Sequence, residues 1–297
     1  MGNRFEISVV SEDEKWANER IENAILEINR IEQLLTTFKP NSQTNQINVQ
    51  AGIEPVRVDK EVFELIQRSL RISNLTQGAF DITYGSIDKS LWNFDLKMTS
   101  LPDKYTAKNM VKLIDYQKVT LNHNDCTVFL KDVGMRIGFG GIGKGYAAEM
   151  AKQLMIREGV KSGVVNASGD LTTWGNQPNG KQWTIGIADP NHKNKTFSSI
   201  NISNMAVATS GDYEKFVMIK GKRYSHTINP KTGLPVTGIK SVTIIASNAE
   251  LADSLATPVM VMGVKIGLDL INQIKKIACV IIDDNDKIFT SKNINIL

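Results

Sequence analysis

Gly138-Phe139-Gly140-Gly141-Ile142-Gly143-Lys144-Gly145 satisfies two phosphate-binding patterns at once, and choosing between them separates the candidate folds. Read as G-x-G-x-x-G between a strand and a helix, it suggests a dinucleotide-binding unit. Read as G-x-x-x-x-G-K, it suggests a P-loop. Either would set backbone N–H groups and a helix N-terminus against a phosphate, so a diphosphate ligand is chemically reasonable. A P-loop needs Ser or Thr after the lysine to hold Mg²⁺, and this chain has Gly145. A Rossmann unit wants an acidic residue about 20 positions on, at the end of the next strand. The strand here ends at Asn166, with Asp170 beyond a glycine. Phosphate contact outside both named folds remains, beside a purely structural use of the glycines for close helix packing.

Working outward, Phe5-Glu6-Ile7-Ser8-Val9 alternates as a strand, and Ile21, Ala24, Ile25, Ile28, Ile31, Leu34 and Leu35 recur at helical steps. Residues 39–45 read as a polar loop. A second helix is expected after Asp59, with Val62, Phe63, Ile66 and Leu70 inside and a break at Gly78. Residues 93–108 read as a surface excursion without a core. From Lys118 strands dominate, with a hairpin turn at Asn122-His123-Asn124-Asp125. A helix follows Gly145, then a buried strand at 163–167. Further strands are expected at 183–188, 205–209, 213–219, 223–227 and 240–247, before two helices and a closing strand pair. Strands come in runs rather than in strict alternation with helices, so the fold class is α+β, mixed sheets with flanking helices and no Rossmann domain. One domain over residues 1–297 is expected, with room for two intertwined subdomains.

Composition excludes several classes. Of 297 residues, 41% are hydrophobic and 22% charged, which rules against disorder and a disulfide scaffold. The 35 basic and 31 acidic side chains leave +4, and they are scattered rather than clustered as a nucleic-acid-binding face would need. Nucleic acid is therefore not an expected partner. No run reaches the roughly 18 apolar residues of a membrane span, and no signal-peptide pattern opens the chain, so the protein is made without a leader or has lost one. Cys126 and Cys279 are far apart, in strand-like apolar surroundings, and are expected to be buried free thiols.

Two further groupings carry chemistry. Ser247-Asn248-Ala249-Glu250 reads as a capping box, and Asp253 and Thr257 then share one helix face four residues apart. A carboxylate above a hydroxyl suits Mg²⁺ or Ca²⁺ and not zinc; an Asp that simply complements the helix dipole is the alternative. His226 precedes the tight turn Asn229-Pro230-Lys231-Thr232-Gly233, where a strand end presents a proton acceptor to a ligand or holds a structural hydrogen bond. His123 and His192 sit in polar turns and are expected to be solvated.

Taken in order, several segments resemble the ApbE family, the FAD:protein FMN transferases. They are Met1-Gly2-Asn3-Arg4-Phe5, Gly78-Ala79-Phe80-Asp81, the 140–146 glycine segment, Thr209-Ser210-Gly211-Asp212-Tyr213, residues 225–233, and Ala252-Asp253-Ser254-Leu255-Ala256-Thr257. The resemblance runs nearly end to end. It implies an α+β flavin-binding fold and an Mg²⁺-dependent reaction that splits FAD and joins its FMN half to a threonine or serine of another protein, releasing AMP. By matching motif, Asp253 and Thr257 become metal ligands, with a backbone oxygen from Gly141. Met1, Phe38, Ala79, Phe80, Asp81, Gly138, Lys144 and Ile228 fall where family members touch FAD. His226 matches the proposed proton acceptor, and Lys144 would offset developing phosphoryl charge.

The chain departs from the family pattern at Gly138, Ser168 and Asn229, where aspartate, glycine and aspartate respectively are common, and at Asn3 of the opening motif. The resemblance also implies an acceptor subunit of a membrane redox complex and a place on the outer side of the bacterial inner membrane, whereas the absent leader pattern suits a cytoplasmic protein. An FAD pyrophosphatase and a non-catalytic FAD-binding protein are the alternative activities.

Overall fold

The structure is a computed structural model that describes residues 4–88, 90, 98–189, 196–211 and 216–294. The chain opens with β1 (Phe5–Val9) and α1 (Glu14–Leu35), continues through α2 (Gln43–Val49) and β2 (Val56–Arg57), and reaches α3 (Lys60–Leu75). After a 3-10 turn at Ile82–Ser86 come α4 (Lys104–Met110), β3 (Val119–Asn122) and β4 (Thr127–Leu130). The middle of the chain holds α5 (Gly143–Arg157), β5 (Gly163–Ala167), β6 (Asp170–Trp174), β7 (Trp183–Ala188), β8 (Thr196–Ile202) and β9 (Ala206–Gly211). It closes with β10 (Phe216–Ile219), β11 (Lys222–Ser225), β12 (Ile239–Ala246), α6 (Ala249–Met262), α7 (Val264–Ile271), β13 (Ala278–Asp283) and β14 (Ile288–Thr290).

These elements make two compact units, each assembled from separated stretches. The first comprises Met1–Glu32, Gly141–Glu214 and Gly238–Leu297. Its seven-stranded sheet runs β1-β5-β6-β9-β12-β13-β14, and every neighbouring pair is antiparallel. An all-antiparallel sheet lacks the parallel crossovers of a dinucleotide-binding fold, which disposes of the Rossmann reading. Period-two alternation then assigns the faces. On β6, Asp170 and Thr172 turn toward α5, while Leu171 joins Val207, Ile245, Ala278 and Ile202 in an apolar cluster that the β7–β8 hairpin covers with Ile185 and Ile200. Covered on both sides, β12 is buried at every residue. Its polar residues Ser241 and Thr243 are buried along with Val242, Ile244 and Ile245, so the strand lacks the in–out alternation of a half-exposed one.

The second unit comprises Gln33–Gly140 and Lys215–Thr237. Its three-stranded sheet has the order β2-β4-β3, and β10 pairs with β11 separately. α3 buries Val62, Phe63 and Ile66, as its periodicity predicts, and Leu65 besides, while Leu70 is only half-buried; it ends where Gln77 and Gly78 take positive φ.

The structure corrects several expectations. Residues 43–49 are helical, because Ser42 caps α2 by accepting the Asn45 N–H. α4 interrupts the expected excursion and buries Ala107 and Met110 in a cluster with Ile87, Val111 and Ile228; residues 93–97 lie outside the described residues. β6 and β8 were not expected. No strand precedes the glycine segment. Instead the Asn48 side-chain amide takes the Ile137 N–H at 2.7 Å and donates to its carbonyl at 3.1 Å, standing in for a neighbouring strand. Cys279 is buried on β13, but Cys126 is only half-buried, in the β3–β4 turn with φ 51°. His123 is exposed, yet packs edge-on against Phe63 at 5.1 Å; His192 lies outside the described residues.

Candidate active site

The site in the first unit grows from the way α5 begins. Its N-cap, Ile142, has no side chain that can accept a hydrogen bond, so the first-turn N–H groups need an outside acceptor. Asp253, on α6, supplies it: Oδ2 accepts the Gly145 N–H at 2.9 Å, and the Lys144 N–H also bonds this carboxylate. α6 approaches this closely because Gly145 has no side chain; a Cβ there would lie 2.1 Å from the Ala249 carbonyl oxygen.

α6 is capped differently from the sequence expectation. Asn248, not Ser247, is the N-cap, and its Oδ1 accepts the Leu251 N–H at 2.8 Å. Asp253 and Thr257 still fall on one face, as their spacing requires. Thr257 is half-buried, its Oγ1 3.4 Å from Ser210 Oγ on β9. Pro258 follows directly inside the helix and, lacking an N–H, leaves the Ser254 carbonyl without its helical donor.

Sequence reasoning placed Lys144 here but missed its partner. Lys144 Nζ forms an ion pair with Asp170, whose residue exposure is 2%. Ser168 and Gly169, both at positive φ, make the tight β5–β6 turn that carries Asp170 to the head of β6. The signal in the sequence is the Ser168-Gly169-Asp170 turn after a buried strand, where Asp170 fails the Rossmann pattern and still serves as a buried carboxylate.

Two buried carboxylates facing one ammonium set the electrostatics. Burial pushes the Asp253 carboxyl up to about 7; the nearby Asp170 charge adds to this and Lys144 opposes it. Asp170 is also raised by burial, against the pull of Lys144 and the Thr209 N–H. A pair left with surplus negative charge in a low-dielectric place favours a cation. Among the described residues no three His, Cys, Asp or Glu side chains converge on one point. A metal here would therefore draw on hydroxyl and main-chain oxygens as well as Asp253. Asp253 with Thr257 is an all-oxygen set, which fits a hard divalent ion. Gly141 sits four residues ahead of Gly145, just before α5 begins.

The other expected residues lie in the second unit. Phe38 is 94% exposed. Ala79 and Phe80 are buried, and the Phe80 N–H donates to Thr76 Oγ1 at 3.0 Å. Asp81 is occupied by its own loop: Oδ1 accepts from the Thr83 N–H and hydroxyl, and Oδ2 from the Tyr116 N–H. Burial still raises its carboxyl above the usual carboxylate range. The Gly138 N–H donates to the Ile82 carbonyl at 3.0 Å. Ile228 is buried beside Tyr84, whose hydroxyl burial pushes up to about 12. His226 is exposed immediately after β11. The turn behind it is seated on α4: Lys108 Nζ donates to the Lys231 carbonyl at 2.6 Å, and a Cβ on Gly233 would meet the Ala107 carbonyl oxygen at 1.9 Å. Met1 lies outside the described residues.

The profile of the ApbE family matches residues 1–281. The chain belongs to the ApbE family. A Klebsiella pneumoniae (strain 342) FAD:protein FMN transferase is 31% identical, covering 100% of this chain and 89% of that protein. The Escherichia coli (strain K12) FAD:protein FMN transferase is also 31% identical, over 89% of this chain and 76% of its own length. Among solved structures, the ApbE protein of Thermotoga maritima superposes with a TM-score of 0.87 at 31% identity, covering 98% of this chain and 94% of the other. The Pseudomonas stutzeri flavinyl transferase ApbE in its apo form gives 0.84 at 25% identity, covering 98% and 92%. The mixed helix-and-sheet architecture is thus the ApbE fold.

Proposed function

We propose that this ApbE-family enzyme transfers the FMN half of FAD to a threonine or serine hydroxyl of an acceptor flavoprotein, with Mg²⁺ and with release of AMP. The acceptor oxygen attacks the phosphorus of the FMN half, the bond to the AMP oxygen breaks, and AMP leaves with that electron pair. The acceptor's proton goes to His226. The observation that carries this reading is the Asp253 carboxylate, buried on the α5 N-terminus beside the Lys144–Asp170 pair.

Asp253, Thr257 and the Gly141 carbonyl would hold the ion. When bound, Mg²⁺ supplies charge neutralisation on the diphosphate, which makes AMP a better leaving group. Lys144 brings a fixed positive charge to the phosphoryl group from the first turn of α5. The exposed ring of Phe38 is suited to covering a flat heteroaromatic system, and exposure of His226 at a strand end suits contact with a macromolecular acceptor. A proton acceptor so placed is typically worth about 10²–10⁴-fold in rate.

The test is incubation with FAD, Mg²⁺ and a threonine-bearing acceptor, followed by mass spectrometry of the acceptor and assay of AMP. Acceptor carrying FMN together with AMP supports the transferase. Free FMN with unlabelled acceptor would make the protein a pyrophosphatase, and intact FAD after hours would make it a flavin-binding protein. By the same reading the acceptor is a subunit of a membrane redox complex and the enzyme works outside the bacterial inner membrane. Among the described residues no helix is long and apolar enough to cross a membrane. Labelling in whole cells with a membrane-impermeant reagent checks the location.

A further inference from the structure

α5 and α6 cap each other. The Gly145 N–H in the first turn of α5 is taken by Asp253 of α6 at 2.9 Å. The Ala249 N–H in the first turn of α6 is taken by Glu149 of α5, through Oε2 at 3.2 Å. Gly145 and Glu149 are one helical turn apart, and so are Ala249 and Asp253. The two contacts are therefore successive rungs between the same pair of helices, each using a carboxylate from one and a main-chain donor from the other.

Glu149 takes no part in the reaction proposed above, yet its carboxylate is fully engaged at 7% exposure. Oε1 accepts from Gln153 Nε2 at 3.0 Å and pairs with Lys152 Nζ at 3.1 Å. Oε2 also accepts the Thr172 hydroxyl at 3.1 Å, and Thr172 Oγ1 in turn accepts from Lys152 Nζ at 3.1 Å. Lys152 balances the charge of Glu149, so the network adds no net charge next to Asp253 and Asp170. Thr172 lies on the Asp170 face of β6, which ties the same network to the strand bearing the second carboxylate.

We infer that Glu149 is a positioning residue for the metal carboxylate: by holding the first turn of α6, it sets the register in which Asp253 meets α5. The physical reason lies at Gly145. The helices approach there through a glycine whose Cβ, if present, would meet the Ala249 carbonyl oxygen and Asp253 Cβ, so Gly145 puts no side chain of its own into the contact to fix sliding or rotation. Directional hydrogen bonds must specify the register instead. With the Ala249 rung lost, α6 can shift at its N-terminus, and Asp253 one turn along moves with it. The inference rests on the metal reading of Asp253.

The test compares two double variants of the full chain, Glu149→Gln/Lys152→Met and Glu149→Met/Lys152→Met. Both lack the buried charge pair and have nearly the same volume, but only the first keeps an acceptor oxygen for Ala249. Mn²⁺ serves as the probe ion, its binding to metal-free protein read by electron paramagnetic resonance. The glutamine variant should bind within about threefold of the parent and the methionine variant at least about tenfold more weakly, the usual scale for groups that orient a metal ligand. Equal binding by the two variants overturns the inference. A parent that binds no Mn²⁺ removes the metal reading and the proposal with it. A second measurement needs no variant: amide hydrogen exchange in the parent with and without Mg²⁺. Coupled rungs require that the ion slow exchange at Gly145 and Ala249 together; protection of Gly145 alone overturns the coupling.

Discussion

The Asp253 carboxylate caps the N-terminus of α5 by accepting the Gly145 N–H at 2.9 Å, although the two residues are 108 positions apart. One group thus satisfies an orphan main-chain donor and supplies the charge a cation would need. Replacing Asp253 by Asn keeps the oxygen that caps Gly145 and removes the charge. The variant should fold, bind FAD, and lose Mg²⁺-dependent turnover by at least about 10²-fold, on the scale seen when a charge that stabilises the transition state is removed. Wild-type rates in a turnover assay across Mg²⁺ concentrations would remove the metal assignment.

The raised Asp253 pKa gives a pH dependence with a definite sign. Its carboxyl titrates near 3.8 in the unfolded chain and about 7 when folded, so the native state holds more protons between those values. Metal-free protein should lose stability as pH rises through that interval, by up to a few kcal/mol, and level off above it. Urea melts from pH 4 to 8 in chelator check this, and Asp253→Asn should flatten the slope. Because the ion displaces the same proton, Mg²⁺ affinity should rise with pH up to about 7 and then plateau.

Lys144 and Asp170 should behave as one unit. Lys144→Met leaves Asp170 buried without its ammonium and should cost roughly 2–4 kcal/mol. That is somewhat less than an enclosed pair costs, because the Lys144 side chain is 26% exposed. Adding Asp170→Asn should recover most of the loss, while turnover stays low for want of the positive charge. Additive losses in denaturant melts of the cycle would show that the two do not interact.

Gly145→Ala should be severe for so small a change. Its Cβ would lie 2.1 Å from the Ala249 carbonyl oxygen and 2.7 Å from Asp253 Cβ, so the helices must part. Overpacking of this kind costs about 1–3 kcal/mol, visible as a lower melting temperature. Mg²⁺ binding, read by calorimetry, should fall as well, since the Asp253 rung is stretched.

His226→Ala should slow transfer by about 10²-fold or more while flavin affinity, followed by fluorescence, changes little. Equal losses in both would mark a structural histidine.

Much of this was readable from the chain. The step pattern of Ile21 to Leu35 gave α1, residues 240–247 read as a strand though not as one covered on both faces, and spacing alone put Asp253 and Thr257 on one helix face. In each case the information is local, since helix and strand periods act over a few residues. α2 was less visible because its start rests on a single Ser42 hydroxyl, and α4 because a seven-residue helix shows its buried side only against Ile87 and Ile228.

The sequence by itself determined which residue types are available: a glycine at the head of α5, a carboxylate and a hydroxyl one turn apart on α6, a lysine beside the glycine, and a histidine before a tight turn. Only the tertiary structure decided that the cap of α5 would come from α6, that Lys144 would pair with Asp170, and that Glu149 would hold Ala249. Those contacts join residues 26 to 108 positions apart. Two of the acceptors answer main-chain donors that packing left buried, and the third answers the Lys144 ammonium; local periodicity carries no record of either.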